Sequence, residues 1–217
     1  MHDNGWQVIP PTFTAAEISA VFAEMTQELF ASRPELATSG SLMIHLFPDL
    51  AETHTDLSYS DGLPGKPEDH SRFTQLDVQE CGSGILSLCR QDFLQFGTFY
   101  QWHHFVHSDH MRWGIGIRDR LIASGIRPAH EWWISYMASD AHFQKHVDGI
   151  SPLLRYSFVV KQPPVLASIQ VDQTDLFFPE GTAYVLDGER PHQVLNTSTE
   201  SRIMLLGSMQ PDSAILA

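Results

Sequence analysis

The second part of this chain, residues 128–217, is divided into short runs of strand-forming residues, and this pattern constrains the fold more than any other feature. Proline and glycine turns separate the runs, as at Pro163-Pro164, Pro179-Glu180-Gly181 and Asp187-Gly188. Several short strands at this spacing predict an antiparallel sandwich or barrel rather than alternating β-α-β units. The predicted strands cover residues 131–137, 155–161, 166–171, 182–186, 193–196 and 201–207.

The first part, residues 1–127, is predicted to be helical and rich in loops. The four residues from Thr14 to Glu17 form a capping-box sequence, and apolar residues then recur at helical spacing to about Phe30. Two more helices are predicted between residues 83 and 124, the second beginning near His110 and ending near Gly125, a C-cap glycine. We therefore expect a single domain, 1–217, in which helices pack outside a barrel-like core.

One polar segment, residues 49–80, contains several glycines and prolines and is predicted to be a long surface loop. Loops of this length are often functional, and this one is a candidate cover for a pocket.

Composition excludes several classes of partner. Lys+Arg 13 against Asp+Glu 26 gives a net charge of −13, which argues against nucleic acid and anionic membranes, because both need clustered basic residues. No apolar run approaches the ~20 residues that span a bilayer. The two cysteines, Cys81 and Cys89, are too few for a disulfide framework, and the N-terminus lacks the order of a signal peptide. We expect a cytoplasmic protein with inert, buried thiols.

The residues that indicate chemistry are His146, Asp148 and His192. In an extended segment residues i and i+2 face the same way, so His146 and Asp148 are able to present an imidazole and a carboxylate to one point. His192 follows a tight turn, opens a predicted strand and would supply a third ligand. Two histidines and one carboxylate form the facial triad that suits non-haem Fe(II) in enzymes that use O2.

Arg202 follows His192 by ten residues, on the next predicted strand. It alternates with Met204 and Leu206, which predicts that it points into the core. A buried guanidinium needs a partner, and its planar fork matches a carboxylate. Beside an iron site of this kind, the expected carboxylate is the distal one of 2-oxoglutarate.

These residues resemble the Fe(II)/2-oxoglutarate dioxygenases, and most closely their aspartyl/asparaginyl β-hydroxylase branch. The resemblance extends from His146 to Met209 and includes Leu154-Arg155, Asp187, the Pro191-His192 pair and Asn196-Thr-Ser. It implies a mainly β fold with flanking helices, built on a double-stranded β-helix (cupin-like jelly roll) core. It also implies Fe(II), with 2-oxoglutarate and O2 as cosubstrates.

The resemblance assigns roles by position. His146 and His192 correspond to the iron-ligating histidines, and Arg202 corresponds to the arginine that binds 2-oxoglutarate. Arg155 falls where the branch has an arginine that contacts a substrate carboxylate, and Ser135 falls at a serine that contacts the cosubstrate. Ser157 stands where the branch usually has a histidine, so this part of the cosubstrate contact must be rebuilt.

The expected function is hydroxylation of an amino-acid-like substrate, either an Asp or Asn side chain in a peptide or a free amino acid derivative, coupled to decarboxylation of 2-oxoglutarate to succinate. The retained Asp148 favours hydroxylation over halogenation, because a halide would need its coordination site. One alternative is a cupin-like metal-binding or sensor protein without oxygen chemistry, which would have no use for Arg202. Another is a cupin isomerase or dioxygenase that does not use 2-oxoglutarate, which would typically carry a second histidine in place of Asp148.

Two further groups are interpreted as structural. Among the 12 histidines of the chain, His103 and His107 are one helical turn apart and stand near His104 and His110, but the surrounding aromatic residues indicate helix packing. Trp132 and Trp133 are interpreted as core or pocket wall.

Overall fold

The computed structural model describes residues 4–32, 41–47, 85–88, 103–107, 112–139, 141–147, 152–165 and 167–216. The predicted loop 49–80, Cys81, Cys89 and His110 lie outside them. The helices are α1 (Ala15–Ser32) and α2 (Arg112–Ala123), followed near the C-terminus by a 3-10 helix (Ala214–Leu216). The strands, in chain order, are β1 (Trp6–Ile9), β2 (Ser41–Phe47), β3 (Ile85–Leu88), β4 (His103–His107), β5 (Pro128–Met137), β6 (Ala141–His146), β7 (Leu154–Lys161), β8 (Ala167–Val171), β9 (Thr174–Leu176), β10 (Ala183–Asp187), β11 (His192–Asn196) and β12 (Arg202–Met209).

The strands form two sheets. The larger sheet has the order β1-β10-β7-β12-β5-β2-β4-β3, and the smaller has the order β6-β11-β8-β9. Neighbouring strands are antiparallel except for the parallel pair β2 and β4. The smaller sheet and the central strands of the larger one share a buried apolar cluster, which is the interior of the barrel. The expected mainly β, jelly-roll-like fold with flanking helices is confirmed.

A second apolar cluster lies on the other face of the larger sheet, where α1 and α2 pack. Strand β12 shows the division, because Ile203 and Leu205 belong to the helix side and Met204 to the barrel interior. Since β12 is covered on both faces, it is buried along nearly all its length. A side chain at alternate positions of β12 therefore points either beneath the helices or into the barrel.

The predicted cap of α1 is present. The backbone N–H of Thr14 donates to Glu17 Oε2 (2.7 Å), and the backbone N–H of Glu17 donates to Thr14 Oγ1 (3.2 Å). The carboxylate of Glu17 also accepts a hydrogen bond from Arg120, and these contacts lower the pKa of Glu17 to about 2. The cap thus also joins α1 to α2.

The predicted C-cap of the later helix is also present. Gly125 has a φ of 82°, and the N–H of Ile126 donates to the carbonyl of Leu121 at 3.0 Å. A left-handed residue just after the last turn, with this backward bond, satisfies carbonyls that the helix leaves open.

Of the two helices predicted between residues 83 and 124, the second is confirmed, whereas the range of the first contains two strands at 85–88 and 103–107, with residues 89–102 outside the described part of the chain. Among the residues of this range that the structure describes, α2 is the helix, and β4 pairs with both β2 and β3. The helical spacing of His103 and His107 therefore has no structural meaning, because both lie in a five-residue strand. Periodicity does not distinguish a helix from a strand in a run this short, and pairing with the sheet makes this one a strand. None of the helices within the described part of the chain is long and apolar enough to cross a membrane.

Candidate active site

His192 is the first residue of β11 and is buried, with 5% of its surface exposed. Its Nδ1 lies 2.9 Å from the carbonyl oxygen of Arg190. A carbonyl only accepts hydrogen bonds, so Nδ1 carries the proton and, in the neutral ring, the lone pair resides on Nε2. Histidines that ligate metals are usually oriented in this way.

His146 is the last residue of β6 and is paired directly opposite His192. The pairing depends on a register shift, because Val194 pairs with Phe143 and a regular ladder would then place Lys145 opposite His192. The irregularity inserts one residue and so exchanges Lys145 for His146. Directly opposite residues of an antiparallel pair are close neighbours, so the two predicted histidine ligands start from adjacent backbone positions.

The rest of the predicted ligand set lies outside the described residues. Asp148 is not among them, and of His146 only the backbone is described. Among the side chains that the structure describes, no group of three His, Cys, Asp or Glu residues forms a metal cluster. The triad of His146, Asp148 and His192 therefore stays a prediction.

Arg202 opens β12 and is 4% exposed. It alternates with Met204, which belongs to the interior cluster, and its Nε donates to Gln162 Oε1 at 2.8 Å. Gln162 in turn donates from Nε2 to the carbonyl of Ala167 on β8, so it ties the arginine to the smaller sheet. Within the described residues, no carboxylate pairs with this buried guanidinium, although burying an uncompensated charge is costly.

Two buried serines lie further along the same inner face. Ser135 on β5 is paired with Met204, and Ser157 on β7 is paired with Leu206. Both hydroxyls therefore belong to strands that flank Arg202, with Ser135 nearer to it along β12.

Arg155, at the beginning of β7, lies at the other end of this face. It is paired with Ser208, donates to the Ser208 hydroxyl (3.3 Å), and its guanidinium carbon lies 5.0 Å from the centre of the Trp133 ring. Ser208 follows Arg202 by six residues, which is roughly 20 Å of extended strand. The two predicted anion-binding arginines are therefore well separated along β12.

Trp132 and Trp133 have different surroundings, as neighbouring residues of a strand should. Trp132 is fully buried on the helix side and donates from Nε1 to the Ser208 carbonyl (3.0 Å). Trp133 lies on the inner face beneath Arg155. Trp132 is therefore a core residue, whereas the interpretation of Trp133 as pocket wall stays a prediction.

Among the described residues, no perturbed pKa marks the site. Burial raises the pKa of the Tyr156 hydroxyl, but Tyr156 belongs to the cluster beneath the helices. Its neighbour Trp132, with a ring centroid 5.0 Å away, belongs to the same layer. The perturbation therefore reflects packing.

Sequence reasoning missed Gln162, Asp172 and Arg190. Gln162 follows the last residue of β7, and Asp172 and Arg190 lie in turns, where polar residues are ordinary. No motif distinguishes them, and only their contacts with Arg202 and with the residues around His192 show their importance.

Residues 119–210 match the family model of aspartyl/asparaginyl β-hydroxylase. No curated protein matches the sequence significantly. Among solved structures, an oxidoreductase of the 2OG-Fe(II) oxygenase family from Burkholderia pseudomallei is 15% identical, with a TM-score of 0.34, over 39% of this chain and 45% of that one. KdgF from a Halomonas species is 15% identical (TM-score 0.30, 41% of this chain and 82% of that one). An RmlC-like cupin from Shewanella frigidimarina is 12% identical (TM-score 0.29, 43% and 83%).

The matched region spans less than half of the Burkholderia protein. The family-model match, residues 119–210, includes every residue to which the sequence assigned a role, from Ser135 to Arg202. The family match over residues 119–210 thus confirms the resemblance of residues 146–209 to the aspartyl/asparaginyl β-hydroxylases.

Proposed function

We propose that this protein is an Fe(II)/2-oxoglutarate-dependent hydroxylase that acts on an amino-acid-like substrate with a carboxylate. The observation that carries the proposal is Arg202, a buried arginine whose hydrogen-bond partner is the neutral amide of Gln162. A cation kept in an apolar interior without an acidic partner among the described residues is a site for an anionic ligand.

The cosubstrate would bind along the inner face of β12. Gln162 holds Arg202 at Nε, which leaves the two terminal nitrogens as the fork that meets the distal carboxylate of 2-oxoglutarate. Ser135 would add a hydroxyl next to Met204, and Ser157 a second one further along the face. Met204 and Val159 are apolar, so they exclude water around the aliphatic part of the cosubstrate.

The donor set fits Fe(II). His192 is buried, its ring orientation is fixed by a carbonyl, and His146 occupies the opposite backbone position. With Asp148 as the third ligand, these residues would hold the metal, which when bound activates O2 for hydroxylation of a C–H bond as 2-oxoglutarate is decarboxylated to succinate.

The substrate carboxylate would be bound by Arg155. Trp133 supports its guanidinium from below and the Ser208 hydroxyl accepts one of its hydrogen bonds. Because Arg155 and Arg202 lie far apart along β12, the substrate and the cosubstrate would approach from different ends of the inner face. A peptide or a free amino acid derivative would satisfy Arg155 equally well.

The test is anaerobic addition of Fe(II) and 2-oxoglutarate, followed by the weak visible absorption band of their chelate. We expect the band with the unaltered protein, its loss in His192→Ala, and at least a tenfold weaker apparent affinity for 2-oxoglutarate in Arg202→Met. Arg127→Met, which removes an exposed arginine paired with Asp212, is the matched control and should change nothing.

An undiminished band in His192→Ala would overturn the proposed metal site. Fe(II) binding with no response to 2-oxoglutarate would instead identify a cupin-like metal-binding protein without oxygen chemistry.

A further inference from the structure

Contacts from outside the proposed ligand set converge on the two residues that precede His192. Asp172, in the turn between β8 and β9, accepts a hydrogen bond at Oδ2 from Arg190 Nη1 (2.9 Å). The backbone N–H of Asp172 also donates to the carbonyl of Pro191 (2.7 Å). Asp172 thus holds the side chain of one residue and the backbone of the next, directly before His192.

Asp172 also contacts the strand that carries the other proposed histidine ligand. Its carbonyl accepts a hydrogen bond from Lys145 Nζ (3.4 Å), and Lys145 immediately precedes His146. Asp172 has a φ of 55°, a left-handed conformation that aspartate and asparagine tolerate better than most residues. One turn residue therefore connects the segments that end in His146 and begin with His192.

Gly5 also contacts the side chain of Arg190, nearer to its aliphatic stem. A Cβ atom at Gly5 would lie 2.1 Å from Arg190 Cδ and 2.4 Å from Nε, so the arginine side chain crosses the bare backbone of the glycine. Gly5 has a φ of 81°, and its carbonyl accepts a hydrogen bond from the N–H of Asp187 (2.8 Å). The side chain of Arg190 thus contacts both Gly5 and Asp172, while its carbonyl accepts a hydrogen bond from His192 Nδ1.

We propose that Asp172 and Arg190 are positioning residues for His192, which fix the carbonyl that orients the imidazole and thereby set the affinity for the metal. This inference rests on the proposed function, in which His192 is a ligand. Direct hydrogen-bond partners of metal-bound histidines typically change affinity by roughly 10–100-fold. Since Asp172 acts on His192 through Arg190 and Pro191, we expect its substitution to lower the metal affinity by about five- to tenfold.

Two variants separate positioning from charge. Asp172→Asn keeps the size and the left-handed backbone but removes one negative charge, whereas Arg190→Met keeps the hydrocarbon stem across Gly5 and removes one positive charge. A purely electrostatic effect would weaken binding of a cation in the first and strengthen it in the second. Positioning predicts weaker binding in both.

The matched control is Glu17→Gln. Like Asp172→Asn, it removes one negative charge from an ion pair, here the pair with Arg120 in the helical layer. The two ion pairs have similar side-chain exposure, 45% and 49% for Glu17 and Arg120 against 45% and 36% for Asp172 and Arg190. Co(II) affinity of the full chain, measured by calorimetry, should fall about five- to tenfold in both test variants and stay unchanged in the control. Nitrogen-15 NMR of the metal-free protein should show the Nδ1–H tautomer of His192, with a mixture of tautomers in both variants.

The two readouts distinguish this inference from the proposed function. If His192→Ala loses Co(II) binding while both test variants keep the affinity and the tautomer of the unaltered protein, positioning is refuted and the metal site stands. If Arg190→Met binds Co(II) more tightly, charge explains the effect and positioning is also refuted. If His192→Ala binds Co(II) normally, the proposed metal site fails.

Discussion

At the scale of single residues, Arg202 poses the clearest energetic question, because a buried guanidinium bonded to a neutral amide costs stability unless a ligand compensates for it. We expect Arg202→Met to raise the free energy of unfolding of the ligand-free protein by about 1 kcal/mol, since replacing a buried ionic group by an apolar one is often stabilising. Urea unfolding without metal or cosubstrate measures this change.

In the presence of Fe(II) and 2-oxoglutarate under anaerobic conditions, the same urea titration should show the unaltered protein to be more stable than Arg202→Met. Saturation at 100 times the dissociation constant stabilises the unaltered protein by about 2.7 kcal/mol, and Arg202→Met should gain little from the cosubstrate. If Arg202→Met instead destabilises the ligand-free protein by more than about 1 kcal/mol, Arg202 is a structural residue and the proposed anion site loses its support.

At the scale of elements, two glycines show how the packing around a position determines the change in stability that a Gly→Ala substitution causes. A Cβ at Gly207 on β12 would lie 2.0 Å from the Trp132 ring, whereas nothing lies within 4 Å of a Cβ at Gly116 in α2. Gly207→Ala should therefore destabilise by roughly 1–3 kcal/mol or more through overpacking, because Trp132 is fully buried.

Gly116→Ala is the matched substitution and should stabilise by about 0.5–1 kcal/mol, since alanine loses less backbone entropy in an exposed helix position. Thermal or denaturant unfolding of both variants checks the pair. Equal effects would mean that the close contact between β12 and Trp132 does not limit residue size there.

Elements with strong local signals were predictable from the sequence, and those defined by distant partners were not. The run 155–161 anticipates Leu154–Lys161 to within one residue, because β7 is rich in strand formers and ends before Pro163-Pro164. β6 was missed, since Ala141–His146 contains lysine, glutamine and two histidines and is a strand by virtue of its pairing with β11. β4 was misassigned for the same reason, because its neighbours β2 and β3 determine its structure.

At the scale of the whole molecule, the candidate site combines what local pattern predicts with what only the fold assembles. The inward direction of Arg202 followed from its alternation with Met204 and Leu206, and the structure places Arg202 on the inner face. The partners of the site could not be predicted, because Gln162 is 40 residues from Arg202 and Gly5 is far from Arg190 in the chain. The net charge of −13 likewise gives no hint of two arginines on one inner face.

The N-terminal strand connects the edge of the larger sheet to the candidate metal ligand. β1 pairs with β10, Trp6 packs edge-on against Phe178 with ring centroids 5.5 Å apart, and Gly5 confines Arg190. Deleting residues 1–9 should therefore expose the edge of β10 and release the turn before His192. We expect the midpoint of thermal unfolding to fall by about 5 °C or more, which for a chain of this size corresponds to roughly 2 kcal/mol.

The truncated protein should also bind Co(II) about fivefold more weakly, because the deletion removes Gly5, whose backbone the Arg190 side chain crosses. Deletion of residues 1–3 alone leaves β1 and Gly5 in place and serves as the control for shortening the chain. If deletion of residues 1–9 lowers the thermal midpoint but leaves Co(II) affinity unchanged, β1 stabilises the sheet without acting on His192, and Gly5 is not needed to hold Arg190.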